Sequence, residues 1–279
     1  MPRITVGLTT YNAQSFLDDS IGSLLAQTEK EFELVISDDL SQDRTDRICR
    51  KWAARDPRIT YIRQEKNLGP RGNFEYVFKR CRTDYFMWAS HDDLWSPSFI
   101  ESCIAELEAN QDAGFAITRW VVESRTLPLI RRMFLPSMRF VTSPDPKERM
   151  LTFTSLPFSS FKDTMTYGVW RSGALLRILN DLDGRTKYFS IGGAANEYAL
   201  LLYRGCYVTG AYLRKRYRYL PPGSFFEPVF AVLSRIKRRE ARTELYPRYT
   251  REDHIQDLQT VFRLAGLDQT TIERALRYA

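Results

Sequence analysis

The chain has 279 residues, which is enough for one large domain or two small ones and for a sizeable hydrophobic core. Apolar residues make up 43% of it and charged residues 27%, a balance typical of soluble globular proteins, and no stretch approaches the roughly 20 apolar residues that a membrane span needs. The net charge of +7 is compatible with nucleic acid, anionic lipid or an anionic substrate as a partner.

The cysteines and the first residues indicate the compartment. Cys49, Cys81, Cys103 and Cys206 lie far apart and form no CxxC pair, which argues against a zinc cluster or a redox pair. Scattered thiols are typical of buried positions in a reducing compartment. The strand-like run "RITVGL" begins at residue 3, which leaves no room for a signal peptide. We therefore expect a cytoplasmic protein.

Strand-like and helix-like segments alternate over the first 122 residues. Runs of β-forming residues predict five strands, at 3–8, 32–39, 59–63, 85–90 and 114–122. Amphipathic segments predict helices between them, at 16–25, 43–55, 73–81 and 96–110. This alternation is typical of an α/β protein with a mostly parallel sheet flanked by helices.

The alternation stops after residue 122. Residues 123–165 contain several prolines and basic residues, and we expect a long, partly irregular segment that covers an active site. Order returns with a helix reached through 166–179, a glycine-rich turn and helix over 192–205, and one or two strands over 206–220. The rest of the chain predicts two or three amphipathic helices.

These patterns predict an α/β domain with a helical extension. The domain covers residues 1–225 and has two halves, 1–122 and 123–225. The extension covers 226–279. Basic residues are dense between 213 and 251, either as a solvated helix face or as a surface for an anionic partner.

Polar residues directly follow three of the predicted strands. The segments are "TTYN" (9–12), "SDD" (37–39) and "SHDD" (90–93). Ligands of parallel α/β sheets bind beyond the carboxyl ends of the strands. We therefore expect these three clusters to meet at one edge of the sheet and to form a site.

The two acidic pairs each allow a functional and a structural interpretation. Asp92 and Asp93 suit a hard divalent cation, or they form an exposed turn that caps the helix after Pro97. Asp38 and Asp39 suit a ligand N–H, because a carboxylate only accepts hydrogen bonds, or they form a turn into Ser41. Both interpretations hold at once if Asp38 is structural.

Four segments, in this order and spacing, resemble the family 2 glycosyltransferases. They are "LTTYNAQSFLDDSIGSLLAQT", "ELVISDDLSQDRT", "NLGPRGNF" and "ASHDDLWSP", within residues 8–97. The resemblance implies the GT-A fold and inverting transfer of a sugar from a nucleoside diphosphate. It also implies a divalent cation, Mn²⁺ or Mg²⁺, which would neutralise charge on the departing diphosphate.

The resemblance implies roles for the residues at the strand ends. Asp93 is the metal ligand, His91 is a second candidate ligand where the family more often has Asp, and Asp92 is directed towards the ribose or a water. Asp39 accepts a hydrogen bond from the base, with Thr9 and Tyr11 on either side of the ring. A carboxylate suits the N3–H of uracil or thymine.

Two basic residues are candidates for the diphosphate. Arg71 lies in "NLGPRGN", a glycine-containing turn before a helix, where backbone amides attract anions. The alternative is a plain β–α turn with Asn73 as the helix cap. The resemblance also points to Arg218 in "YRYLPPGS", although the His that often follows in the family is absent.

The general base is taken from the helix that follows the glycine-rich turn. In "GGAANEYALLL", Asn196 stands where the family often has Asp, and Glu197 is the only carboxylate. Glu197 is therefore the predicted base. The alternative is that Asn196 caps the helix and Glu197 only favours the helix dipole. Asp163 and Asp181 are weaker candidates for the base.

Together these features predict an enzyme that transfers a sugar, from UDP or dTDP, to a hydroxyl of a glycan or a lipid-linked glycan in cell-surface polysaccharide synthesis. The basic region predicts a peripheral position on the anionic inner face of the membrane. No nucleic-acid module is present, so nucleic acid is not expected as a partner. The alternative, suggested by His91 and Asn196, is a degenerate nucleotide-sugar-binding protein.

Overall fold

Strands and helices alternate regularly over the first 109 residues of the computed structural model. In chain order they are β1 (Ile4–Thr10), α1 (Leu17–Leu25), β2 (Phe32–Asp38), α2 (Thr45–Ala53), β3 (Ile59–Arg63), α3 (Gly69–Phe78), β4 (Tyr85–Ser90), β5 (Leu94–Trp95) and α4 (Phe99–Ala109). The predicted elements of this half are confirmed, and the two-residue strand β5 is an addition to them.

The later elements are less regular. They are β6 (Ala113–Ser124), β7 (Met133–Phe134), α5 (Pro146–Ser155), β8 (Val169–Arg171), α6 (Ser172–Leu182), α7 (Ala194–Leu202), β9 (Arg204–Tyr217), α8 (Arg251–Leu264) and α9 (Gln269–Leu276). Two 3₁₀ segments lie at Arg139–Thr142 and Lys162–Tyr167. The structure describes residues 1–124, 133–134, 138–155, 162–186, 194–217 and 251–276.

The described strands form one mixed sheet with the order β3-β2-β1-β4-β8-β6-β9-β5, and β7 pairs with β6. Strands β3, β2, β1 and β4 are parallel, as predicted. The sheet is mixed because the short strand β8 lies antiparallel between β4 and β6, and because β5 and β7 are antiparallel to β9 and β6. In register, Thr9 of β1 lies beside Ser37 on one side and Ser90 on the other. The three polar clusters therefore meet at one edge of the sheet.

Close packing of α3 against the sheet depends on a glycine. A Cβ on Gly7 of β1 would lie 2.7 Å from Cγ2 of Val77 and 2.9 Å from the ring of Phe86. Real Cβ atoms do not approach other atoms this closely. Any larger residue at position 7 would therefore require a shift of α3. Phe86 makes edge-on contacts with Phe78 and Trp88, with ring centroids 5.0 and 4.8 Å away. This aromatic group fixes the position of α3 beside the site.

The segment 123–165, predicted to be long and partly irregular, contains a helix that was not predicted, α5 at residues 146–155. Pro146 occupies the first helical position, where proline is well tolerated because the N–H it lacks would be unpaired anyway. Asp145 accepts a hydrogen bond from the Lys147 amide at 2.9 Å. Arg149 donates from Nε to the Leu200 carbonyl at 2.7 Å and so ties α5 to α7.

The carboxyl-terminal helices pack against the α/β core. Leu258, Val261 and Phe262 of α8 are fully buried in the same cluster as the strands, and Lys147 pairs with Asp268 at 3.0 Å. The division of the chain at residue 225 stays a prediction, because residues 218–250 lie outside the described ranges. Most of the basic region at 213–251 falls there as well. In the described part of the chain, no helix combines the length and apolar character needed to cross a membrane.

The cysteines behave as small apolar residues. All four thiols are free, and three of them are buried: Cys49, Cys103 and Cys206. Burial raises the pKa of Cys206 to about 11. These three thiols stay protonated at neutral pH, and their burial agrees with the predicted burial of the thiols.

Gln27 joins the end of α1 to the start of α4. It is fully buried. Its Nε2 donates to the carbonyl of Ser96 at 2.8 Å, and its Oε1 accepts from the Ile100 amide at 3.0 Å.

We expect Gln27→Leu to lower the free energy of unfolding by about 2–4 kcal/mol, because it leaves buried polar groups unpaired. Urea denaturation measures this loss. The exposed Gln111→Leu is the control and should stay within about 0.5 kcal/mol of wild type; equal losses in both would contradict the assignment.

Candidate active site

The loops after β1 and β2 are joined by hydrogen bonds. The Asn12 amide donates to Oγ of Ser41 at 3.0 Å, and Oδ1 of Asn12 accepts from the Gln42 amide at 2.8 Å. The Ala13 amide donates to Oγ1 of Thr45 at 2.8 Å. Asn12 itself has a φ of 49°, in the left-handed region that Asn tolerates better than most residues. These bonds fix the half-buried Tyr11 turn beside residues 39–42.

Asp38 has a structural role in this edge of the sheet. It is fully buried, and its Oδ1 accepts from the Ser41 amide at 2.9 Å. Its Oδ2 accepts from the Tyr61 hydroxyl at 3.0 Å, and Nε of Arg63 lies 4.0 Å away. The hydrogen bond to the Ser41 amide closes the turn that the structural interpretation predicted for Asp38.

Asp39 is directed at the start of α3. Only 3% of it is exposed. Its Oδ1 accepts from the Leu68 amide at 2.6 Å, and its carbonyl accepts from Nδ2 of Asn67 at 3.1 Å. Burial raises the pKa of Asp39, and the amides of Leu68 and Gly69 partly oppose that rise. A carboxylate has further lone pairs beyond the Leu68 bond, and these can accept a ligand N–H.

Helix α3 begins four residues earlier than predicted, at Gly69. Gly69 has a φ of +71°, and its amide donates to Oδ1 of Asn67 at 2.9 Å. Asn73 therefore lies inside the helix, and the alternative in which Asn73 caps the helix is wrong. Instead, Asn73 donates from Nδ2 to the Ser37 carbonyl at 3.1 Å, which ties α3 to the end of β2.

Arg71 lies in the first turn of α3. Its Nε donates to Oε1 of Glu75 at 2.8 Å, and its Nη2 lies 4.0 Å from Oδ1 of Asp183. About half of its side chain is exposed. Exposed ion pairs of this kind contribute little to stability, so Arg71 can exchange its partners for a phosphate at small energetic cost. Its contact with the diphosphate stays a prediction.

The acidic turn after β4 is held by its neighbours. Ser90 donates from Oγ to Oδ1 of Asp92, and the Ser90 carbonyl accepts from Oγ of Ser20 at 2.9 Å. Nδ1 of His91 lies 3.4 Å from the Thr9 carbonyl, which places the imidazole against the end of β1. Asp93 is only 1% exposed.

The interpretation of this turn as an exposed cap for α4 is wrong. Asp93 is buried, and the Ile100 amide in the first turn of α4 bonds to Gln27 instead. Asp92, which is bonded to Ser90, and the buried Asp93 are two adjacent carboxylates at the carboxyl end of a central strand. This is the arrangement that the metal hypothesis requires.

The acidic turn suits a metal that the substrate helps to bind. Nowhere in the described ranges do three or more His, Cys, Asp or Glu side chains form a complete cage for a metal ion. Mg²⁺ and similar cations need only one or two protein carboxylates, because phosphate oxygens and water complete the shell. Asp92 and Asp93 form such a set, so they fit a divalent cation that binds together with a diphosphate.

Glu197 lies in the first turn of α7 and is 2% exposed. Asn196 also lies inside the helix, which begins at Ala194, so the alternative in which Asn196 is the N-cap is wrong. Asn196 donates from Nδ2 to Oγ1 of Thr166 at 3.3 Å. Trp88 of β4, Thr166 and Asn196 line one small void, which places the start of α7 beside the strand that carries the acidic turn.

The weaker candidates for the base have structural partners or lie outside the described part. Asp181 accepts from the Tyr198 hydroxyl at 2.9 Å and lies 3.6 Å from Nε of Arg177. The side chain of Asp163 and all of Arg218 lie outside the described residues. Glu197 therefore remains the predicted base.

A model of the family described as Glycosyl transferase family 2 matches residues 5–168, which is more than half of the chain. The chain belongs to glycosyltransferase family 2. The matched range contains the three polar clusters at the strand ends, and it stops before Glu197.

Curated relatives match part of the sequence of this family 2 chain. An uncharacterized glycosyltransferase of Rickettsia typhi, RT0329, is 34% identical over 100 residues, which are 36% of this chain and 30% of the relative. An uncharacterized glycosyltransferase of Haemophilus influenzae is 31% identical over 109 residues, which are 39% of this chain and 34% of the relative. The matches thus cover about a third of the length of these relatives.

Solved structures share the fold of the family 2 chain over almost its whole length. S. aureus TarS 1–349 in complex with UDP has a TM-score of 0.61 at 15% identity, covering 99% of this chain and 70% of that one. The mannosyltransferase PcManGT from Pyrobaculum calidifontis, in complex with GDP-Man and Mn²⁺, has a TM-score of 0.50 at 14% identity, covering 97% and 77%. At this identity the likeness shows the fold alone, and it confirms the predicted GT-A architecture.

Two contacts of the family 2 site were not predicted from the sequence. The Leu68 amide bonds to Asp39, and the Tyr61 hydroxyl bonds to Asp38. The first had a signal in "NLGPRGN", where Asn67 followed by Leu and Gly favours a turn that presents backbone amides. The contact between Tyr61 and Asp38 had no signal in the sequence, because Tyr61 is one of several β-forming residues in its strand.

Proposed function

We propose that this chain is an inverting glycosyltransferase that moves a sugar from a nucleoside diphosphate to an acceptor hydroxyl. One observation supports it most: β2 and β4 lie on either side of β1, and Asp39 follows the end of β2 while Asp92 and Asp93 follow the end of β4, at the same edge of the sheet. One acidic group suits a base N–H, and the other suits a cation that holds a diphosphate. Together they match the two ends of a nucleoside diphosphate.

In this proposal Asp39 recognises the base. Its carboxylate is held by Leu68, which leaves lone pairs for the N3–H of uracil or thymine. Thr9 and Tyr11 lie on either side of the ring, and Arg71 and Arg218 provide positive charge for the diphosphate. UDP- and dTDP-sugars are therefore the preferred donors. TarS with UDP shows that the same fold accepts a uridine nucleotide in another protein.

The cation would be held by Asp93, with His91 as a second ligand and Asp92 near the ribose or a water. When bound, Mn²⁺ or Mg²⁺ supplies positive charge to the diphosphate as the sugar bond breaks. PcManGT with GDP-Man and Mn²⁺ supports this assignment by analogy of fold.

Glu197 would act on the acceptor. Its carboxylate takes the proton of the acceptor hydroxyl as the oxygen forms a bond to the anomeric carbon. The bond from that carbon to the diphosphate breaks, and the nucleoside diphosphate leaves with the electron pair. Attack from the face opposite the leaving group inverts the anomeric centre. Glu197 is buried in the first turn of α7, directly after Asn196, which lines a small void with Thr166 and Trp88.

We further propose that the acceptor is a glycan or lipid-linked glycan of a cell-surface polysaccharide, and that the protein acts in the cytoplasm at the inner face of the membrane. The basic region 213–251 supports this position, since Lys and Arg are attracted to anionic lipid. Sedimentation with anionic vesicles at low salt tests it. Absence of binding would contradict the membrane position and leave the transfer reaction intact.

The proposed function is tested by calorimetric titration of UDP, dTDP and GDP, each with and without Mn²⁺. Metal-dependent binding of UDP or dTDP is the expected result. A degenerate nucleotide-sugar-binding protein is the second candidate, favoured by His91 and by Asn196, which bonds to Thr166. The two candidate functions differ in turnover. A binding protein takes up the nucleotide sugar but never releases a nucleoside diphosphate from it.

Asp39→Asn is expected to change the preferred base. The amide Oδ1 still accepts from Leu68, but its Nδ2 is a donor and faces the N3–H donor of uracil. UDP affinity should fall roughly 100-fold, and CDP should become the better ligand because cytosine N3 is an acceptor. Calorimetry with UDP and CDP measures the switch. The exposed Asp84→Asn, at the other end of the sheet, is the control and should bind UDP normally.

The same variant is expected to keep or gain stability at pH 7. Burial raises the pKa of Asp39 above its ordinary value of 3.8, so the folded protein is destabilised by the charged carboxylate. That destabilisation is fully present above the raised pKa and is relieved as the pH falls through it. Asp39→Asn removes this charge, so it should not lower the free energy of unfolding at pH 7. A large drop in melting temperature together with unchanged UDP binding would contradict the role of Asp39.

A further inference from the structure

The hydroxyl of Tyr61 lies between two carboxylates beneath the loop that carries Asp39. Tyr61 is on β3, and its Oη is 3.0 Å from Oδ2 of Asp38 and 2.7 Å from Oδ1 of Asp46. A phenol has a single hydrogen to donate. Both carboxylates therefore compete for one donor.

The two carboxylates depend on Tyr61 to different degrees. Asp46 has a cation of its own, because Nε of Arg50 lies 3.0 Å from Oδ1 and 3.1 Å from Oδ2, and this pair lowers the pKa of Asp46. Asp38 is fully buried, and its nearest cation is Arg63 at 4.0 Å. Within the described residues, the donors that bond to the carboxylate of Asp38 are the Tyr61 hydroxyl and the Ser41 amide. A buried carboxylate with so few donors is sensitive to the loss of either.

Asp38 in turn shapes the loop that contains Asp39. Its Oδ1 accepts from the Ser41 amide, and its carbonyl accepts from the Leu40 amide at 2.8 Å. Leu40 has a φ of 66°, a left-handed conformation that side chains other than Gly and Asn rarely adopt. The bonds from Asp38 therefore hold a strained turn, and Asp39 is part of that turn.

We propose that Tyr61 is a positioning residue for nucleotide recognition: acting through Asp38, it holds the turn at residues 38–41 so that Asp39 faces the base. This inference rests on the proposed function, because it assumes that Asp39 contacts a nucleotide. Burial and the two carboxylates raise the pKa of Tyr61, so the hydroxyl stays a donor at neutral pH. The stacking of Arg50 over the ring, 5.5 Å from its centroid, keeps the phenol in place.

Tyr61→Phe is the test, since it removes the hydroxyl and keeps the ring. We expect the dissociation constant for UDP with Mn²⁺ to rise about tenfold. We expect kcat at saturating donor to stay near wild type, because β4 and α7 do not share these hydrogen bonds. Calorimetry gives the first value and donor-saturation kinetics give the second. Thermal melting verifies that the variant is folded at the assay temperature.

A second variant separates positioning from general stability. In the Tyr61→Phe background, Asp38→Asn keeps an acceptor for the Ser41 amide and removes the buried charge that Tyr61 had satisfied. The double variant should recover most of the UDP affinity. Tyr76→Phe, on the outer side of α3 where Arg80 stacks on its ring, is the matched control and should bind like wild type.

The outcomes distinguish this inference from the proposed function. Weaker binding in Tyr61→Phe, rescue by Asp38→Asn and normal binding in Tyr76→Phe support it. Equal UDP affinity in wild type and Tyr61→Phe overturns it and leaves the proposed function standing. A kcat that falls as far as the affinity, without rescue, shows a general structural effect and also overturns it. Wild-type protein that binds no nucleotide overturns the proposed function and this inference together.

Discussion

Glu197→Gln is expected to bind the donor with wild-type affinity and to lose about 10²- to 10⁴-fold in the rate of transfer. The amide has nearly the same shape as the carboxylate, but it cannot take the proton of the acceptor hydroxyl. The proposed site for the nucleotide lies at the ends of β1, β2 and β4, and Glu197 is not part of these strands. Calorimetry with UDP and Mn²⁺ and a coupled assay for the released nucleoside diphosphate measure the two effects separately.

Asp181→Asn is the matched control for that experiment. Asn keeps an acceptor for the Tyr198 hydroxyl, so α6 and α7 stay joined and transfer should persist. If Asp181→Asn loses transfer while Glu197→Gln retains it, the base is Asp181 and the assignment of Glu197 is wrong. If both variants retain full activity, neither carboxylate is the base.

Asp93→Ala is expected to abolish the effect of Mn²⁺ on nucleotide binding. The wild-type protein should bind UDP more tightly with Mn²⁺ than without it, by at least about tenfold, and the variant should bind with the same weak affinity in both conditions. Residual binding comes from Asp39, which the substitution leaves untouched. Paired titrations with and without Mn²⁺, together with a thermal melt to verify folding, measure this.

Substitutions of the two neighbouring residues assign the ligand within the turn. Asp92→Asn keeps the acceptor for Oγ of Ser90 and should retain a response to Mn²⁺. His91→Ala should weaken that response if the imidazole is a second ligand, and should leave it unchanged if it only packs against the Thr9 carbonyl. A full response to Mn²⁺ in Asp93→Ala would falsify the metal assignment.

Local patterns were sufficient to predict the part of the fold that forms the site. The strands β1, β2 and β4 are rich in buried β-forming residues, and in each of them polar residues begin at the carboxyl end. The parallel order of strands then brings those polar residues to one edge, whatever the details of the loops. Asp39, His91, Asp92 and Asp93 could be selected from the sequence for this reason.

Contacts between distant residues could not be predicted in the same way. Gln27 caps a helix that begins 72 positions later, at Phe99, and Tyr61 bonds to a carboxylate 23 positions earlier. No sequence pattern records such pairs, because they depend on how the elements pack. The short strand β8 and helix α5 were missed for related reasons. β8 has only three residues, and α5 begins at a proline that also suits a loop.

The hydrogen bonds between the loops after β1 and β2 restrict how this site can evolve. Asn12 and Ala13 in one loop bond to Ser41, Gln42 and Thr45 in the other, so insertion of a residue into either loop would misalign every bond at once. Homologous proteins that share these bonds should therefore keep both loop lengths. If Asp39 recognises the base, as proposed, divergence in base preference would occur by side-chain replacement on a constant backbone, with its most direct effect at position 39.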